Sequence, residues 1–556
     1  MIHYGITKIT ENSLNSLDQE RPEHSVSLAY PAVAPPSFPG HPGASILTDG
    51  HFESLATEVT EEQPHYGTGK ESKRDRCTHT FCTKACADCD WSDLARATID
   101  MLPNVALLEI FDSYIDWAGI NAWRTLVHVC RKWRNIVLGP PRRLDLQLYC
   151  TPRLPVREML DIWPLLPLFM EAFRHEMWDV GRLDNVVAAL ERNDRICQLS
   201  LIDISSSQIE KVLPAMQQPF PALIHLDFRF GYEIDETAPV IPASFLGGSA
   251  PRLQTLKLMH VPFPGLPKFL LSATHLVHLL LSEIPHSGYF SPGAIVTSLS
   301  VLTRLEGVVI DFESPRSRPD QKGRHPPPAT RTLLPVLTVL RFKGASEYLE
   351  DLVAQIDAPL LGTLDITFFH QLIFETPRLI QFFSRTPKLQ THDKAQVFFS
   401  DQDVSIILPQ AFDRRVDLGI SCRQSGWQLS SLAQVCSSSV HQTLFPALEY
   451  LHIVEDRFSR VNWQDDVESS QWLELLYPFT SVKRLYISRE FVPRIAPALQ
   501  ELVAGERVTE VLPALQTLVL EEPLPSGPVQ ETVGQFVAAR QLAGHPVTVS
   551  QEWPGD

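Results

Sequence analysis

The hydrophobic positions after residue 195 follow a template that recurs along the chain. A proline, an apolar residue two positions later and then Leu-x-apolar begin at residues 221, 251, 335, 359, 446 and 513, and weaker copies begin at 196, 274, 303 and 480. Neighbouring copies start between 23 residues apart (251 to 274) and 34 residues apart (446 to 480). The gap after 359 is wider, and in it residues 387–395 and 414–421 read as degenerate copies. The alternation of apolar and polar positions within a copy predicts a strand with one buried face.

Amphipathic segments lie between these copies. Apolar residues at helical spacing predict helices in residues 207–217, 266–273, 346–356, 377–385 and 471–479. A short strand that returns through a helix or loop at this period is typical of leucine-rich repeats of the longer, irregular kind. The predicted fold class is therefore α/β, with an irregular leucine-rich-repeat solenoid over residues 186–550. Its parallel strands would form the concave face, its helices and loops the convex face, and the basic, proline-rich residues 314–331 a disordered insert.

The strand positions that alternate with the buried leucines would form a ribbon on the other face of the sheet. Stacked repeats present such a ribbon as a binding surface. We interpret it as the contact for an unknown target protein, with these candidates: Arg229, Lys257, Leu280, Arg341, Asp365, His452 and Tyr486. A merely solvated sheet face is the alternative. Apolar residues such as Leu280 and Tyr486 favour binding, because a solvent-facing sheet is usually polar.

A different pattern occupies residues 99–140. Leu107, Leu108 and Phe111 form one short apolar helical face. A second helix is predicted from apolar residues at helical spacing, which are Trp123, Leu126, Val127, Cys130, Trp133 and Val137. Pro103 immediately precedes the first helix, and Gly139 ends the second. The result is a compact helical unit whose own core is small, so that a partner would complete it. A connecting helical segment is expected at 141–185.

The order of large residues in this unit resembles an F-box. "LPNVALLEIF" followed by "LVHVCRKWRNIV" matches the family's Leu-Pro, its Ile-Phe helix and its Val-Cys-x-x-Trp. "DWAGINAW" makes the loop between them a few residues longer than usual. From residue 95 onwards the chain resembles the large fungal set of F-box proteins with degenerate leucine-rich repeats. The resemblance implies contacts with a Skp-type adaptor by Leu102, Pro103, Leu107, Ile110, Phe111, Val129, Cys130 and Trp133. A helical hairpin with an aromatic core is the alternative.

Residues 1–95 are rich in proline, glycine and charge, as in "YPAVAPPSFPGHPG" and "EVTEEQPHYGTGKESKRD". Such a segment buries too little apolar surface to offset the entropy of ordering it, so we predict a disordered tail. Its segment 77–89 carries possible zinc ligands at Cys77, His79, Cys82, Cys86 and Cys89. Only three residues separate Cys82 from Cys86, whereas zinc fingers usually leave a dozen or more residues between one ligand pair and the next. A mobile thiol-rich segment is favoured over a metal site.

Charge and motifs narrow the function. A formal charge of -17 gives no general attraction to nucleic acid or an anionic membrane, and nine unevenly spread cysteines suit a reducing compartment, either cytoplasm or nucleus. The chain shows no apolar stretch of membrane-spanning length and no secretory signal pattern. Neither G-x-S-x-G, nor H-E-x-x-H, nor a complete phosphate loop occurs, so we expect no enzyme activity and no cofactor.

Together with the resemblance, these observations suggest a non-catalytic substrate receptor of a Skp–cullin–F-box ubiquitin ligase. It would bind the adaptor and, through it, a cullin. The alternative is a repeat scaffold for protein–protein interaction outside any ligase.

Overall fold

A computed structural model describes residues 99–551, apart from gaps at 120–121, 141–143, 145, 164, 174–179, 232–238, 320–329, 372–373, 391, 411–413, 438–443, 457–466 and 524–526. The predicted tail, its cysteine-rich segment 77–89 and the centre of the predicted insert lie outside the described residues. The described start of that insert, residues 314–319, forms a turn in which Ser317 is buried beside His286. This part of the insert is therefore ordered, contrary to the prediction.

The described strands are β1 Leu148–Cys150, β2 Leu168–Ala172, β3 Ile196–Ile204, β4 His225–Phe230, β5 Thr255–Met259, β6 His278–Ile284, β7 Gly307–Phe312, β8 Thr332–Leu333, β9 Val339–Gly344, β10 Ile356–Asp357, β11 Thr363–Phe369, β12 Lys394–Phe399, β13 Asp403–Pro409, β14 Arg415–Ser421, β15 Tyr450–Glu455, β16 Arg484–Ile487, β17 Thr517–Leu520 and β18 Thr548–Ser550.

The described α-helices are α1 Asn104–Ala118, α2 Ala122–Val129, α3 Arg131–Leu138, α4 Val156–Ile162, α5 Val180–Leu190, α6 Ser206–Val212, α7 Leu266–Leu270, α8 Pro292–Leu299, α9 Ser346–Val353, α10 Pro377–Arg385, α11 Ser425–Ser437, α12 Ser469–Leu476, α13 Val492–Ala504 and α14 Pro528–Leu542. The helices predicted between the strands are present as α6, α7, α9, α10 and α12.

Each copy of the sequence template builds a turn followed by a strand. In the copy that begins at 251, the Leu253 N–H donates to the Ala250 carbonyl, and strand β5 begins at Thr255. The same turn bond joins Leu223 to Phe220 ahead of β4, and β4 likewise begins at the fifth residue of its copy. The proline that opens a strong copy has no N–H to satisfy and holds φ where this turn needs it. The template therefore determines where the strands begin.

Sixteen of the eighteen described strands form one sheet, in the order β1-β2-β3-β4-β5-β6-β7-β9-β11-β14-β13-β12-β15-β16-β17-β18. The other two, β8 and β10, pair with each other. Neighbours are parallel throughout, except that β13 runs antiparallel to both β12 and β14. The chain runs from β11 to β12 and then through β13 to β14, which pairs with β11. Helix α11 then connects β14 to β15, which pairs with β12. The degenerate copy at 414–421 contains strand β14, whereas only the last two residues of the copy at 387–395 lie in a strand, because β12 begins at Lys394. The prediction of parallel strands alone is wrong at β13, because the chain reverses its direction after β12 and again after β13.

The two faces of the sheet differ. Apolar residues on one face are buried in a continuous core with the helices and loops, for example Leu226, Leu256, Leu279 and Leu364. Alternate residues on the other face are partly accessible along β4 to β7, β9 and β11. We call this second face the open face. The sheet thus has the leucine-rich-repeat-like arrangement of strands stacked with one face towards helices and loops and one face open.

Two expectations about the first part of the chain need correction. The predicted second helix of the unit at 99–140 is two helices, α2 and α3, because Cys130 adopts an extended conformation and its Sγ accepts the Trp133 N–H at 3.4 Å. This bond satisfies one of the free N–H groups at the start of α3. Residues 141–185 are not purely a helical connection, because β1 and β2 lie within them and begin the sheet. Both strands are short and lie outside the repeat template, which is why periodicity missed them.

Candidate functional site

The helical unit at 99–140 shares its core with the start of the sheet. The Trp123 Nε1–H donates to the Gln147 carbonyl at 2.9 Å, and its ring packs edge-on against Trp163 at 5.0 Å between centroids. Arg124 donates to the Tyr149 carbonyl in β1. The chain's own first strand and α4 region therefore complete much of the core that we expected a partner to complete.

The residues expected to contact an adaptor divide into two sets. Leu107 and Phe111 have no exposed surface, and Phe111 packs its ring against Trp133 at 4.7 Å. They belong to the core of the unit, which corrects their assignment as contact residues. By contrast, Leu102, Ile110 and Val129 are 37%, 47% and 55% exposed.

Pro103 is also exposed and serves as the N-cap of α1, whereas Cys130 and Trp133 are partly buried. The Lys132 Nζ donates to the Leu102 carbonyl at 3.4 Å, so the start of α1 meets the start of α3. The unit therefore exposes several large apolar side chains over a buried aromatic core. Others near them in sequence are Ile99, Met101, Val105 and Trp117.

The target-binding candidates lie on the open face in rows that run across the strands. One row, which we call the second row, contains Lys257, Leu280, Arg341 and Asp365 at aligned positions of β5, β6, β9 and β11. Beyond the meander it continues with His452 in β15 and Tyr486 in β16. Arg229 lies one row further along, aligned with Met259. The topology therefore brings six of the seven candidates into a single row.

Charges in the first part of this face are mostly paired. The Arg229 guanidinium donates two bonds of 2.7 Å to the Asp227 carboxylate of the same strand. Asp365 lies between two arginines, 3.7 Å from Arg341 and 3.5 Å from Arg415. The two short bonds hold Arg229 in a defined orientation, which lowers the entropy that a partner contact would lose. The longer contacts of Asp365 with two half-exposed arginines are weaker.

Burial perturbs several carboxyl groups in the centre of the open face. Desolvation, with a smaller contribution from the neighbouring Asp365 charge, raises the pKa of Asp417 to about 7. Desolvation also raises the pKa of Asp311 to about 6, although Lys343 acts against it. Asp417 lies in the degenerate copy at 414–421, where the pattern gave no reason to single it out. Only its alignment beside Asp365 marks it.

The last strands carry a different surface. His452 stacks on Tyr486 with 4.2 Å between ring centroids, and burial lowers the pKa of His452 to about 4. Tyr486 is only 5% exposed, so it cannot present its ring to a partner and its assignment as a contact is corrected. Periodicity gives the direction of a side chain but not what covers it.

Next to these residues, in the row that begins the strands, Lys394 and Arg484 both approach the ring of Tyr450. The alternation predicts that Tyr450 and Arg484 lie on the ribbon, but none of the three is among the seven target-binding candidates. Lys394 lies in a degenerate copy, and Tyr450 and Arg484 lie two residues before the second row.

The described residues contain no group of three or more His, Cys, Asp or Glu side chains placed to hold a metal ion. None of their helices combines the length and the hydropathy needed to cross a bilayer. The polar groups of the open face are arranged as ion pairs and stacked rings, which suits recognition of another molecule.

Comparisons with known proteins add little. No protein-family model and no curated protein matches the chain. Among solved structures, the leucine-rich repeat-containing protein LegL7 from Legionella pneumophila is 12% identical, with a TM-score of 0.23, over 70% of this chain and 97% of its own. A TM-score this low supports no inference, so the assignment of a repeat fold rests on the template and the strand register.

Proposed function

We propose that this chain is a non-catalytic substrate receptor of a Skp–cullin–F-box ubiquitin ligase, acting in the cytoplasm or nucleus. The observation that carries the proposal is the exposed apolar set Leu102, Ile110 and Val129, which stands at the motif positions of an F-box. Exposed apolar side chains clustered in one small unit are typical of a protein interface. Leu107, Phe111 and Trp133 would support that surface from beneath rather than contact the adaptor.

The repeats would hold the target. Fixing a target lysine near a ubiquitin-charged enzyme raises the effective concentration of the two reactants, so the receptor needs no catalytic residue of its own. The open face supports this role because it presents polar and charged side chains such as Lys257, Arg341 and Asp365 at aligned positions of successive strands. The adaptor would bind at one end of the chain and the target along the sheet.

The test uses the full chain with Ile110 and Val129 both replaced by Ala. Each side chain is about half exposed, so a partner would bury the exposed half, and truncation of both should weaken adaptor binding at least about tenfold. Trp117→Ala is the matched control, because Trp117 is the most exposed large side chain of α1 and is not a motif residue. Titration of each purified variant with a Skp-type adaptor, beside a melting curve, gives the result. Unchanged affinity in the double variant, or no adaptor binding by the natural chain, would contradict the proposal.

The second candidate is a repeat scaffold that binds other proteins outside any ligase. It is favoured by the extent of the open face, which would serve any protein partner without an adaptor. Capture of the chain from cells distinguishes the two functions: a complex that contains adaptor and cullin supports the receptor, whereas target proteins without either support the scaffold.

A further inference from the structure

The open face changes its charge character beyond the antiparallel strand β13. On strands β12, β15, β16, β17 and β18, the aligned residues that begin the strands are Lys394, Tyr450, Arg484, Thr517 and Thr548. The aligned residues two positions on are Gln396, His452, Tyr486, Val519 and Ser550. These ten positions include two cations and no carboxylate, in a chain whose formal charge is -17.

The two cations share one aromatic ring. The Lys394 Nζ lies 5.6 Å from the centroid of the Tyr450 ring, and the Arg484 Cζ lies 5.7 Å from it. Strands β12 and β16 flank β15, so the cations reach the ring from its two neighbouring strands. Cation–π attraction of this kind holds a flexible side chain over a ring without neutralising it. We call Lys394, Tyr450 and Arg484 the cation–tyrosine patch.

The patch differs from the other cations of the open face. Arg229, Arg341, Lys343 and Arg415 each lie within 4.0 Å of a carboxylate. Lys394 and Arg484 are exposed and form no ion pair with an Asp or Glu among the described residues. Two positive charges held near one ring repel each other, and an anion placed between them would relieve that repulsion. The neighbouring His452 is neutral at physiological pH because burial lowers its pKa to about 4, so it adds no charge to the surface.

We propose that the cation–tyrosine patch binds an acidic segment of a partner protein, with two carboxylates of that segment placed against Lys394 and Arg484. The inference deepens the proposed function, because it rests on the repeats holding a target and gives the chemistry of that target. The backbones of β12 and β16 are two strand spacings apart, about 10 Å. Both cations lie within 6 Å of the centroid of the Tyr450 ring, so their charges are at most about 11 Å apart. Carboxylates two residues apart on an extended segment, about 7 Å, match this arrangement.

The test uses the full chain and two fluorescein-labelled octapeptides, (Glu-Ser)4 and its neutral counterpart (Gln-Ser)4. Fluorescence anisotropy at low ionic strength should show binding of the glutamate peptide and much weaker binding of the glutamine peptide. Lys394→Gln combined with Arg484→Gln should weaken glutamate-peptide binding about tenfold. Tyr450→Leu should weaken it less, because both cations remain but are no longer held. Raising the salt concentration to about 0.2 M should reduce the affinity, as expected of exposed charges.

The matched control is Lys268→Gln combined with Arg304→Gln, which removes the same amount of charge elsewhere. Lys268 lies in α7, Arg304 follows α8, and both residues are exposed. If this control weakens binding as much as the patch variant, or if the glutamine peptide binds as well as the glutamate peptide, the proposal fails. A phosphoserine octapeptide that outcompetes the glutamate peptide would also overturn the choice of carboxylates. Adaptor titration of the same variants separates this inference from the proposed function, because substitutions in the patch should leave adaptor affinity unchanged.

Discussion

Arg540 in α14 supports the last repeats from within, and its replacement tests how they are stabilised. The side chain has no exposed surface. Its Nη1 donates to the Val508 carbonyl at 2.9 Å, and its Nη2 faces the carbonyls of Leu512, Pro513 and Leu515 at 3.4, 3.3 and 3.1 Å. Three of these carbonyls belong to the turn that precedes β17. The guanidinium therefore donates to carbonyls that lie outside the strands, of which the Leu512 carbonyl also accepts the Leu515 N–H. Its Nε is buried and has no hydrogen-bond partner among the described residues.

The cost of removing Arg540 follows from these contacts. The three Nη2 contacts share one nitrogen, so the side chain amounts to about two effective hydrogen bonds from a charged donor, each worth about 1.5–3 kcal/mol. Truncation to Ala also leaves buried carbonyls unsatisfied and opens a cavity, while it removes the cost of burying a charge. We expect Arg540→Ala to lower the free energy of unfolding by about 3–5 kcal/mol. Arg540→Lys should lower it by about 2 kcal/mol, because lysine keeps the charge and lacks the planar fork.

Urea denaturation and hydrogen exchange measure this effect. Repeats are stabilised by their neighbours, so exchange should accelerate first in β17 and β18 and leave β4 to β7 protected. Arg507→Ala is the control, because Arg507 is partly exposed and its contacts with Glu501 and Glu510 are 3.7 and 3.6 Å long. Its loss should cost less than about 1 kcal/mol. Equal destabilisation by the two alanine variants, or faster exchange throughout the sheet, would refute the reasoning.

Three further predictions concern the centre of the sheet. Leu364→Ala should lower the free energy of unfolding by about 2–5 kcal/mol, because Leu364 is fully buried. Asp365→Asn on the open face should lower it by less than about 1 kcal/mol. Equal losses of the two variants in urea denaturation would contradict the strand register. The pKa of Asp417 is raised in the folded chain to about 7, so its protonated form favours folding. Its contribution to stability should fall as pH rises from about 4 to about 7, and Asp417→Asn should flatten that fall in urea midpoints taken at several pH values. Glu350 accepts two N–H groups, at 2.9 and 2.8 Å, in the first turn of α10. Glu350→Ala should therefore cost about 1–3 kcal/mol and speed exchange in α10, while an unaltered rate there would exclude this capping role.

The candidate site could be predicted only in part from the sequence. Alternation within the template placed Lys257, Arg341 and Asp365 on the open face, where they lie. It could not tell that Asp365 lies between two arginines, because Arg415 is fifty residues away in the chain. The same limit explains why Tyr486, although on the same row, is buried. Motif order likewise could not separate Leu107 and Phe111, which are core residues, from Ile110, which is exposed.

The sequence by itself determined the local structure of this protein. Proline, leucine and alternation determine where most strands of the sheet begin and which of their faces is buried, because these depend on backbone conformation and on neighbours a few residues away. The tertiary structure alone decided the antiparallel strand β13, the addition of β1 and β2 to the sheet, and the gathering of Lys394, Tyr450 and Arg484 around one ring. Pairing between strands brings together residues that are far apart in the chain, and no local pattern carries that information.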